Sequence, residues 1–224
     1  MIELKKIKFG YSENLMFDNF SLCAKNGECT VIVGSNGAGK STLLKIMCGV
    51  LRPEEGQVFL DNQNLWRKRM IRSPKIVKDH ASMIGYVMQR CEDQLFAETV
   101  AKDIEFGPKN IGFSDEEIKK SIDKWIKFFE IEKLKDKSPF KISGGQQRLC
   151  AIAGVLAMNT PNVCFDEPTS SLDEDATKKV HEAINLLKEE GKAVVLVSHD
   201  EKEIELLADK VIKIEKKLDL SPNE

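Results

Sequence analysis

The chain has 224 residues, of which 42% are hydrophobic and 31% charged, as is usual for a soluble globular protein. Its formal net charge of −2 argues against a nucleic-acid-binding role, which normally needs a strongly basic surface. No apolar run approaches the ~18 residues that cross a bilayer, and the N-terminus lacks the apolar stretch of a signal peptide. We therefore expect one cytoplasmic domain spanning residues 1–224.

The cysteines indicate a reducing compartment. The chain contains six, they are scattered, and no two form a C-x-x-C pair. Without a signal peptide, reduced thiols are favoured over disulfides or a zinc site. The six are Cys23, Cys29, Cys48, Cys91, Cys150 and Cys164.

The first chemical motif follows a β-branched run, ECTVIVG at 28–34, which reads as a buried strand. It leads into GSNGAGKST, which matches G-x-x-x-x-G-K-[ST], and then into a helical pattern. Strand, glycine loop and helix together predict a phosphate-binding P-loop rather than an ordinary glycine-rich turn. We expect Lys40 to reach the β- and γ-phosphates and the Ser41 hydroxyl to bind Mg²⁺. The candidate nucleotide contacts are Gly34, Ser35, Asn36, Gly37, Ala38, Gly39, Lys40, Ser41 and Thr42.

The stretch 67–78, RKRMIRSPKIVK, is basic and contains no acid. A solvated loop is the simple interpretation, and contact with lipid headgroups or an acidic partner is the alternative.

The middle of the chain reads as mainly helical. Ser114 and Glu117 predict a capping box at the start of a helix over the sequence SDEEIKKSIDKWIKFFEI. Its apolar residues share one face: Ile118, Ile122, Trp125, Ile126 and Phe129.

A second glycine motif, ISGGQ at 142–146, begins another helical pattern. Ser143 can cap this helix, while Gly144 and Gly145 allow close approach of another molecule to the backbone. Taken alone, the motif indicates a second phosphate site or a common Ser-Gly-Gly turn equally well.

A short apolar strand ends at two acids in NVCFDEP. With a P-loop present, Asp166 is suited to hold Mg²⁺ and Glu167 to act as general base. An ordinary acidic surface turn is the alternative. After 158 the chain alternates between strands and helices, which predicts a mostly parallel α/β sheet.

In order and across nearly the whole chain, these segments resemble the ATP-binding subunit of ABC transporters. GSNGAGKST resembles the Walker A motif, ISGGQ the signature motif and CFDEP the Walker B motif. The resemblance extends to single residues: Gln89 as the Q-loop glutamine, Asp173 in the D-loop, His199 as the switch histidine, Tyr11 as the aromatic that stacks on adenine, and Gln146 as the end of the signature.

The resemblance implies a P-loop NTPase fold with an N-terminal antiparallel β segment and an inserted helical subdomain. The nucleotide-binding core would comprise 1–88 and 158–224, and the helical subdomain 89–157. Two subunits would pair head to tail, so that Ser143, Gly144 and Gly145 of one cover the ATP bound by the other. Gln89 would sense Mg²⁺ and the attacking water, while His199 would contact the γ-phosphate and polarise that water. His80 and His181 match nothing in the family and are expected at the surface.

The sequence of the segment DQLFAETVAKDIEFGPKNIGFSDEEI, Asp93 to Ile118, resembles the ATPases of energy-coupling factor (ECF) importers of vitamins and transition metals. This implies a second ATPase, identical or related, an integral membrane coupling subunit, a substrate-binding membrane protein, and a peripheral location on the cytoplasmic face. Leu95, Phe96 and Val100 form an interface with such a partner or pack within the helical lobe. Arg90-Cys91 replaces the usual Asn-Pro beside the Q-loop.

Three other functions are weaker candidates. Another ABC transporter class remains open. A soluble ABC clamp acting on ribosomes or DNA is disfavoured by the absence of coiled-coil heptads and of net basic charge. A P-loop kinase would have no use for the second glycine motif or for His199.

Overall fold

A computed structural model of the chain describes residues 1–12, 14–66 and 79–215. The basic stretch 67–78 therefore lies outside the described residues. Two sheets form the framework. The first is antiparallel, in the order β2-β1-β4-β5, where β1 is Ile2–Tyr11, β2 Asn14–Ala24, β4 Glu55–Leu60 and β5 Gln63–Asn64.

The second sheet is parallel and has five strands in the order β6-β7-β8-β3-β9. These strands are β3 Cys29–Val33, β6 Ile84–Val87, β7 Asn162–Asp166, β8 Ala193–Val197 and β9 Lys210–Lys213. Strands β7 and β8 are buried along their whole length, as expected for a sheet covered on both faces. The α/β fold class predicted from the sequence is confirmed.

Alternate residues of the parallel sheet face two different cores. Val194 and Leu196 pack with the helices that follow residue 100, whereas Val195 and Val197 pack toward the antiparallel sheet. Helix α1, Lys40–Met47, lies in the second core between the two sheets. The P-loop helix is thus fixed on both sides by apolar packing.

Three helices between β6 and β7 form what we call the helical lobe: α2 Val100–Ile111, α3 Asp115–Phe128 and α4 Gly144–Ala157. Short 3₁₀ turns at Cys91–Gln94, Glu132–Leu134 and Pro139–Lys141 precede or connect them. The capping box that the sequence predicts at α3 is present, with Ser114 N–H donating to Glu117 Oε2 at 2.8 Å. The predicted core face is also confirmed, with Ile122 half-buried and the other residues buried: Ile118, Trp125, Ile126 and Phe129.

Two further helices follow strands of the parallel sheet: α5, Glu174–Glu189, comes after β7, and α6, Glu201–Leu207, comes after β8. Gly191 has a φ of 76°, so it ends the α5 region in the left-handed conformation that favours glycine. All six cysteines are free thiols, as predicted. No helix in the described part of the chain is long and apolar enough to cross a bilayer.

Candidate nucleotide-binding site

The candidate functional residues follow four neighbouring strands of the parallel sheet. Gly34 follows β3, Gln89 follows β6, Glu167 follows β7 and His199 follows β8. Because all four strands run in the same direction, their carboxyl ends meet at one edge. That edge is where α/β sheets normally bind ligands.

The P-loop wraps the side chain of its own lysine. Lys40 Nζ donates to the carbonyl oxygens of Gly34 at 2.8 Å and Ser35 at 3.2 Å. Gly39 caps α1 with a φ of 99°, and a Cβ there would lie 2.8 Å from the Phe17 ring. Glycine is therefore required at this position by both its backbone angle and its surroundings. The start of α1 lines a cleft, and the first N–H groups of a helix have no acceptor within the helix, so they are available to an anion bound there.

Asp166 is 2% exposed and ends β7. Its Oδ2 accepts a hydrogen bond from the Tyr86 hydroxyl at 3.2 Å, while its Oδ1 has no hydrogen-bond partner among the described residues. Burial raises the pKa of Asp166, and the hydroxyls of Ser41 and Tyr86 oppose this shift. A buried carboxylate oxygen without a partner is suited to accept a cation or its bound water.

The described residues contain no group of three or more His, Cys, Asp or Glu that could hold a metal ion. A magnesium site here would therefore use mixed oxygen donors, which agrees with the preference of Mg²⁺ for a few protein oxygens plus phosphates and water. The hydroxyl of Ser41 and the carboxylate of Asp166 fit this donor set.

Glu167 brings the other two candidate side chains together. Its Oε2 accepts from Gln89 Nε2 at 3.2 Å, and its Oε1 lies 3.2 Å from His199 Nδ1. An ionised carboxylate only accepts hydrogen bonds, so the Nδ1 of His199 carries the hydrogen in this arrangement. Glu167 is partly shielded and His199 is largely exposed.

These residues surround one cleft of about 540 Å³. It is lined by Met16, Asn36, Gly37, Gly39, Lys40, Ser41, Thr42, Gln89, Glu167 and His199. All but Met16 were predicted from the sequence. Met16 lies in β2, and an apolar residue in a strand carries no sequence signal that points to a cleft.

Other predicted residues lie outside this lining. Tyr11 is 48% exposed, and its ring packs edge-on against Phe9 with centroids 5.1 Å apart. Asp173 caps α5 by accepting from the N–H of Ala176 at 2.8 Å. Ser143 caps α4 and accepts from the N–H of Gln146 at 3.3 Å, so the predicted cap is present. The glycine motif lies at the exposed start of α4, with Ser143 and Gly144 open to solvent.

The chain beside Gln89 is held by a residue that the sequence did not single out. Gln94 Oε1 accepts from the N–H of Met88 at 2.9 Å, and Gln94 Nε2 donates to the carbonyl of Tyr86 at 3.0 Å. The two residues of the unusual Arg90-Cys91 pair lie in different environments. Cys91 is buried, with Sγ donating to the Met88 carbonyl at 2.9 Å, whereas Arg90 is exposed beside acids of its own turn.

Two further predictions can be compared with the structure. Leu95 and Val100 are buried in the lobe, so the packing alternative holds for them. Phe96 is 57% exposed and contacts Phe106, which is 50% exposed, in an edge-to-face pair with ring centroids 4.6 Å apart.

The expectation that His181 is a surface residue is wrong, because its Nε2 lies 3.0 Å from Glu203 and its side chain is largely buried. His80 is half-buried, and burial lowers its pKa.

The known proteins that this chain resembles in sequence are ATP-binding proteins of ABC transporters. The ABC transporter family model matches residues 17–170. The energy-coupling factor transporter ATP-binding protein EcfA2 of Clostridium perfringens is 39% identical over 203 residues, which are 89% of this chain and 70% of that protein. EcfA2 of Clostridium acetobutylicum is 38% identical over 94% of this chain and 74% of its own length. The chain spans only 29% of the length of a 37%-identical ABC transporter ATP-binding protein from Bifidobacterium longum.

Solved structures agree with this grouping. A dimeric ATP-binding cassette in a post-hydrolysis state, bound to ADP and Pi, superposes with a TM-score of 0.84 at 30% identity and covers 97% of each chain. CbiO1 of Clostridium perfringens, described as part of the ABC transporter complex CbiONQ, gives a TM-score of 0.80 at 32% identity, over 95% of this chain and 84% of its own. The chain therefore belongs to the ABC transporter family of ATP-binding proteins.

Proposed function

We propose that the chain is the ATP-binding and ATP-hydrolysing subunit of an ECF-type membrane importer for a vitamin or a transition metal. The observation that carries the enzymatic part is the convergence of Gln89 and His199 on the two carboxylate oxygens of Glu167, at the mouth of the P-loop cleft. Relatives named as ECF transporter ATP-binding proteins support the importer part.

ATP would bind with its phosphates in the P-loop. In the described structure Lys40 donates to two carbonyl oxygens of the loop, and phosphate oxygens would replace them as stronger, charged acceptors. Tyr11 is exposed on β1 and is the candidate for stacking on adenine. Ser41, Asp166 and Gln89 would hold Mg²⁺, which neutralises charge on the β- and γ-phosphates when bound.

Glu167 is the candidate general base. A water oxygen attacks the γ-phosphorus, the bond from phosphorus to the β–γ bridging oxygen breaks, and the water proton passes to the Glu167 carboxylate. Gln89 and His199 flank both oxygens of that carboxylate, so they limit the directions from which it can accept the proton. His199 is exposed enough for its Nε2 to reach the γ-phosphate.

The ISGGQ motif is the candidate contact for the nucleotide of a second subunit. A Cβ at Gly144 would meet nothing within 4 Å, and Gly144 is exposed. Packing within this chain therefore gives no reason for glycine there, whereas close approach of a phosphate from another molecule does. The dimeric cassette with ADP and Pi supports pairing of two such chains, either identical or related.

The remaining partners would be membrane proteins: an integral coupling subunit and a small substrate-binding protein. The exposed Phe96–Phe106 pair on the helical lobe is the candidate contact, since adjacent exposed aromatic rings are typical of interfaces. Such partners would place the chain on the cytoplasmic face of the membrane.

Replacement of the base tests the enzymatic proposal. We expect Glu167→Gln to lower ATP turnover at least ~100-fold while nucleotide binding persists, because the amide cannot accept the water proton. Glu182→Gln, an exposed change on α5, is the matched control. Unimpaired turnover in Glu167→Gln would remove Glu167 from this role.

Purification after gentle detergent extraction tests the importer proposal. We expect the tagged chain to retain integral membrane proteins. A preparation that contains ribosomes but no integral membrane protein would instead support the soluble clamp.

A further inference from the structure

One arginine joins the ISGGQ helix to both loops that carry the candidate catalytic side chains. Arg148 lies in α4, two residues after Gln146. Its Nη1 donates to the carbonyl oxygen of Glu167 at 2.8 Å and to Ser170 Oγ at 2.9 Å. Its Nη2 donates to the carbonyl oxygen of Gln89 at 3.0 Å.

These contacts fix the backbone at Glu167 in an uncommon conformation. Glu167 has a φ of 51°, in the left-handed region that non-glycine residues rarely adopt. Its N–H donates to the carbonyl of Val197 at 3.0 Å, and its carbonyl accepts from Arg148. Both polar backbone groups are therefore engaged, which keeps the side chain directed toward Gln89 and His199.

The contact at Gln89 acts on the other catalytic loop. Gln94 holds the backbone at Tyr86 and Met88, just before Gln89, and Arg148 holds the carbonyl of Gln89 itself. A planar guanidinium can donate in several fixed directions at once, which a lysine ammonium on a flexible stem does less well. The geometry thus depends on arginine in particular.

We propose that Arg148 is a positioning residue that sets Gln89 and Glu167 relative to the ISGGQ helix of the same chain. The proposal rests on the proposed head-to-tail pairing. When the start of α4 contacts the nucleotide of the partner, any displacement of α4 moves Arg148. The displacement then reaches the catalytic loops of the chain's own site through two backbone carbonyls. Occupation of one site of the dimer is in this way coupled to the geometry of the other.

The test compares Arg148→Met and Arg148→Lys in the full-length chain with Mg²⁺ and ATP. Methionine keeps much of the apolar stem but has no donor, whereas lysine keeps the charge. We expect Arg148→Met to lower kcat roughly ten- to one-hundred-fold, with KM for ATP changed less than about threefold, because small misplacements of catalytic groups have effects of this size. Arg148→Lys should recover part of the lost kcat.

Lys124→Met is the matched control. Lys124 also lies in the helical lobe and pairs with Glu190 beyond α5 at 2.8 Å, but it contacts neither catalytic loop. We expect wild-type kcat and KM from this variant. Ser170→Ala removes one acceptor of Arg148 and should lower kcat about two- to fivefold, with Tm lowered by no more than about 4 °C.

Wild-type kcat in a folded Arg148→Met chain would overturn the proposal. Equal loss of kcat and of ATP binding, with no recovery in Arg148→Lys, would also overturn it, since that pattern indicates general loss of structure. Where Arg148→Met does not fold, wild-type kcat in Ser170→Ala overturns the proposal. Glu167→Gln separates the two proposals: if it abolishes turnover while Arg148→Met does not lower it, the positioning role fails and the proposed function stands.

Discussion

The hydroxyl of Thr169 donates a hydrogen bond at 2.9 Å to Oε1 of Glu203, whose side chain is only 2% exposed. His181 Nε2 lies 3.0 Å from the same oxygen. Thr169 follows Glu167 in the loop after β7, and Glu203 lies in the helix that follows His199. The buried carboxylate thus connects the chain segments that carry two of the candidate catalytic residues.

Removing that hydroxyl should destabilise the fold. We expect Thr169→Val to cost about 1–2 kcal/mol, because a buried carboxylate loses a donor, and to lower Tm by about 2–8 °C. Thr30→Val is the matched control, for which we expect a change in Tm of the opposite sign. The Thr30 hydroxyl is buried in β3 and has no hydrogen-bond partner among the described residues, so its removal should raise Tm by about 2 °C or more. Thermal melts of both variants check the pair, and a stabilising Thr169→Val would contradict the argument.

Gly144→Ala should separate folding from pairing. Space is open around a Cβ at this position, and alanine is the better helix former, so the isolated chain should be as stable as wild type or slightly more so. The methyl group would obstruct a partner's phosphate at the start of α4. We expect ATP-dependent dimer formation by a Glu167→Gln background to weaken at least ~10-fold, measured by analytical ultracentrifugation. Undiminished dimerisation would show that this glycine does not face a partner.

Asp166→Asn should exchange activity for stability. Burial raises the pKa of Asp166, so the ionised carboxylate is unfavourable in the nucleotide-free chain. Asparagine can keep the acceptor for Tyr86 without the charge. We expect a gain of about 1 kcal/mol, or about 2–4 °C in Tm, and loss of Mg²⁺-dependent ATPase activity. Full activity in the variant would exclude Asp166 as a magnesium contact.

The stability difference between Asp166→Asn and wild type should depend on pH. Because the folded-state pKa of Asp166 is raised above its ordinary value of 3.8, the folded chain binds its proton more tightly than the unfolded chain. Protonation of Asp166 therefore contributes its full stabilisation of the folded chain below pH 3.8, and this stabilisation is lost as the pH rises through the raised pKa. The Tm advantage of asparagine should therefore be largest near neutral pH and vanish toward pH 3.8. A constant difference across this range would contradict the assignment.

ATP turnover per molecule should fall on dilution. Each chain supplies one P-loop cleft and one ISGGQ helix, and in the proposed pairing a complete site needs both from different chains. Well below the dissociation constant of the pair, tenfold dilution should lower specific activity nearly tenfold. The measurement is steady-state ATPase activity over a concentration series, with sedimentation as the control for association. Constant specific activity through dissociation would contradict the shared site.

Residues whose interaction partners lie close to them in the sequence could be predicted from the sequence. The capping box of Ser114 and Glu117 was recognisable because its members are three residues apart, and the structure joins them by a 2.8 Å hydrogen bond from Ser114 N–H. Lys40 was likewise predictable, since the P-loop pattern fixes both its spacing and its chemistry. Strand β7 was predicted from a short apolar run that ends at two acids.

Features with distant partners were missed. Arg148 bonds to residues 19 and 59 positions away, and Glu203 bonds to residues 22 and 34 positions away. An arginine or a glutamate on a helix is most often solvated, so the local sequence gave no reason to expect burial or bridging. His181 was assigned wrongly for the same reason, because its partner lies in a different helix. Only the packing of α5 against α6 brings the two side chains together.

The four motif-bearing segments lie far apart in the sequence and meet only at the edge of the complete parallel sheet. Partly folded chains consequently lack a binding site, so the nucleotide binds only chains that are completely folded. ATP should then protect the chain against proteolysis and heat by a free energy that rises with the logarithm of its free concentration and reaches about 2.7 kcal/mol at one hundred times its dissociation constant. Supply of the substrate would in this way also regulate how long each copy survives.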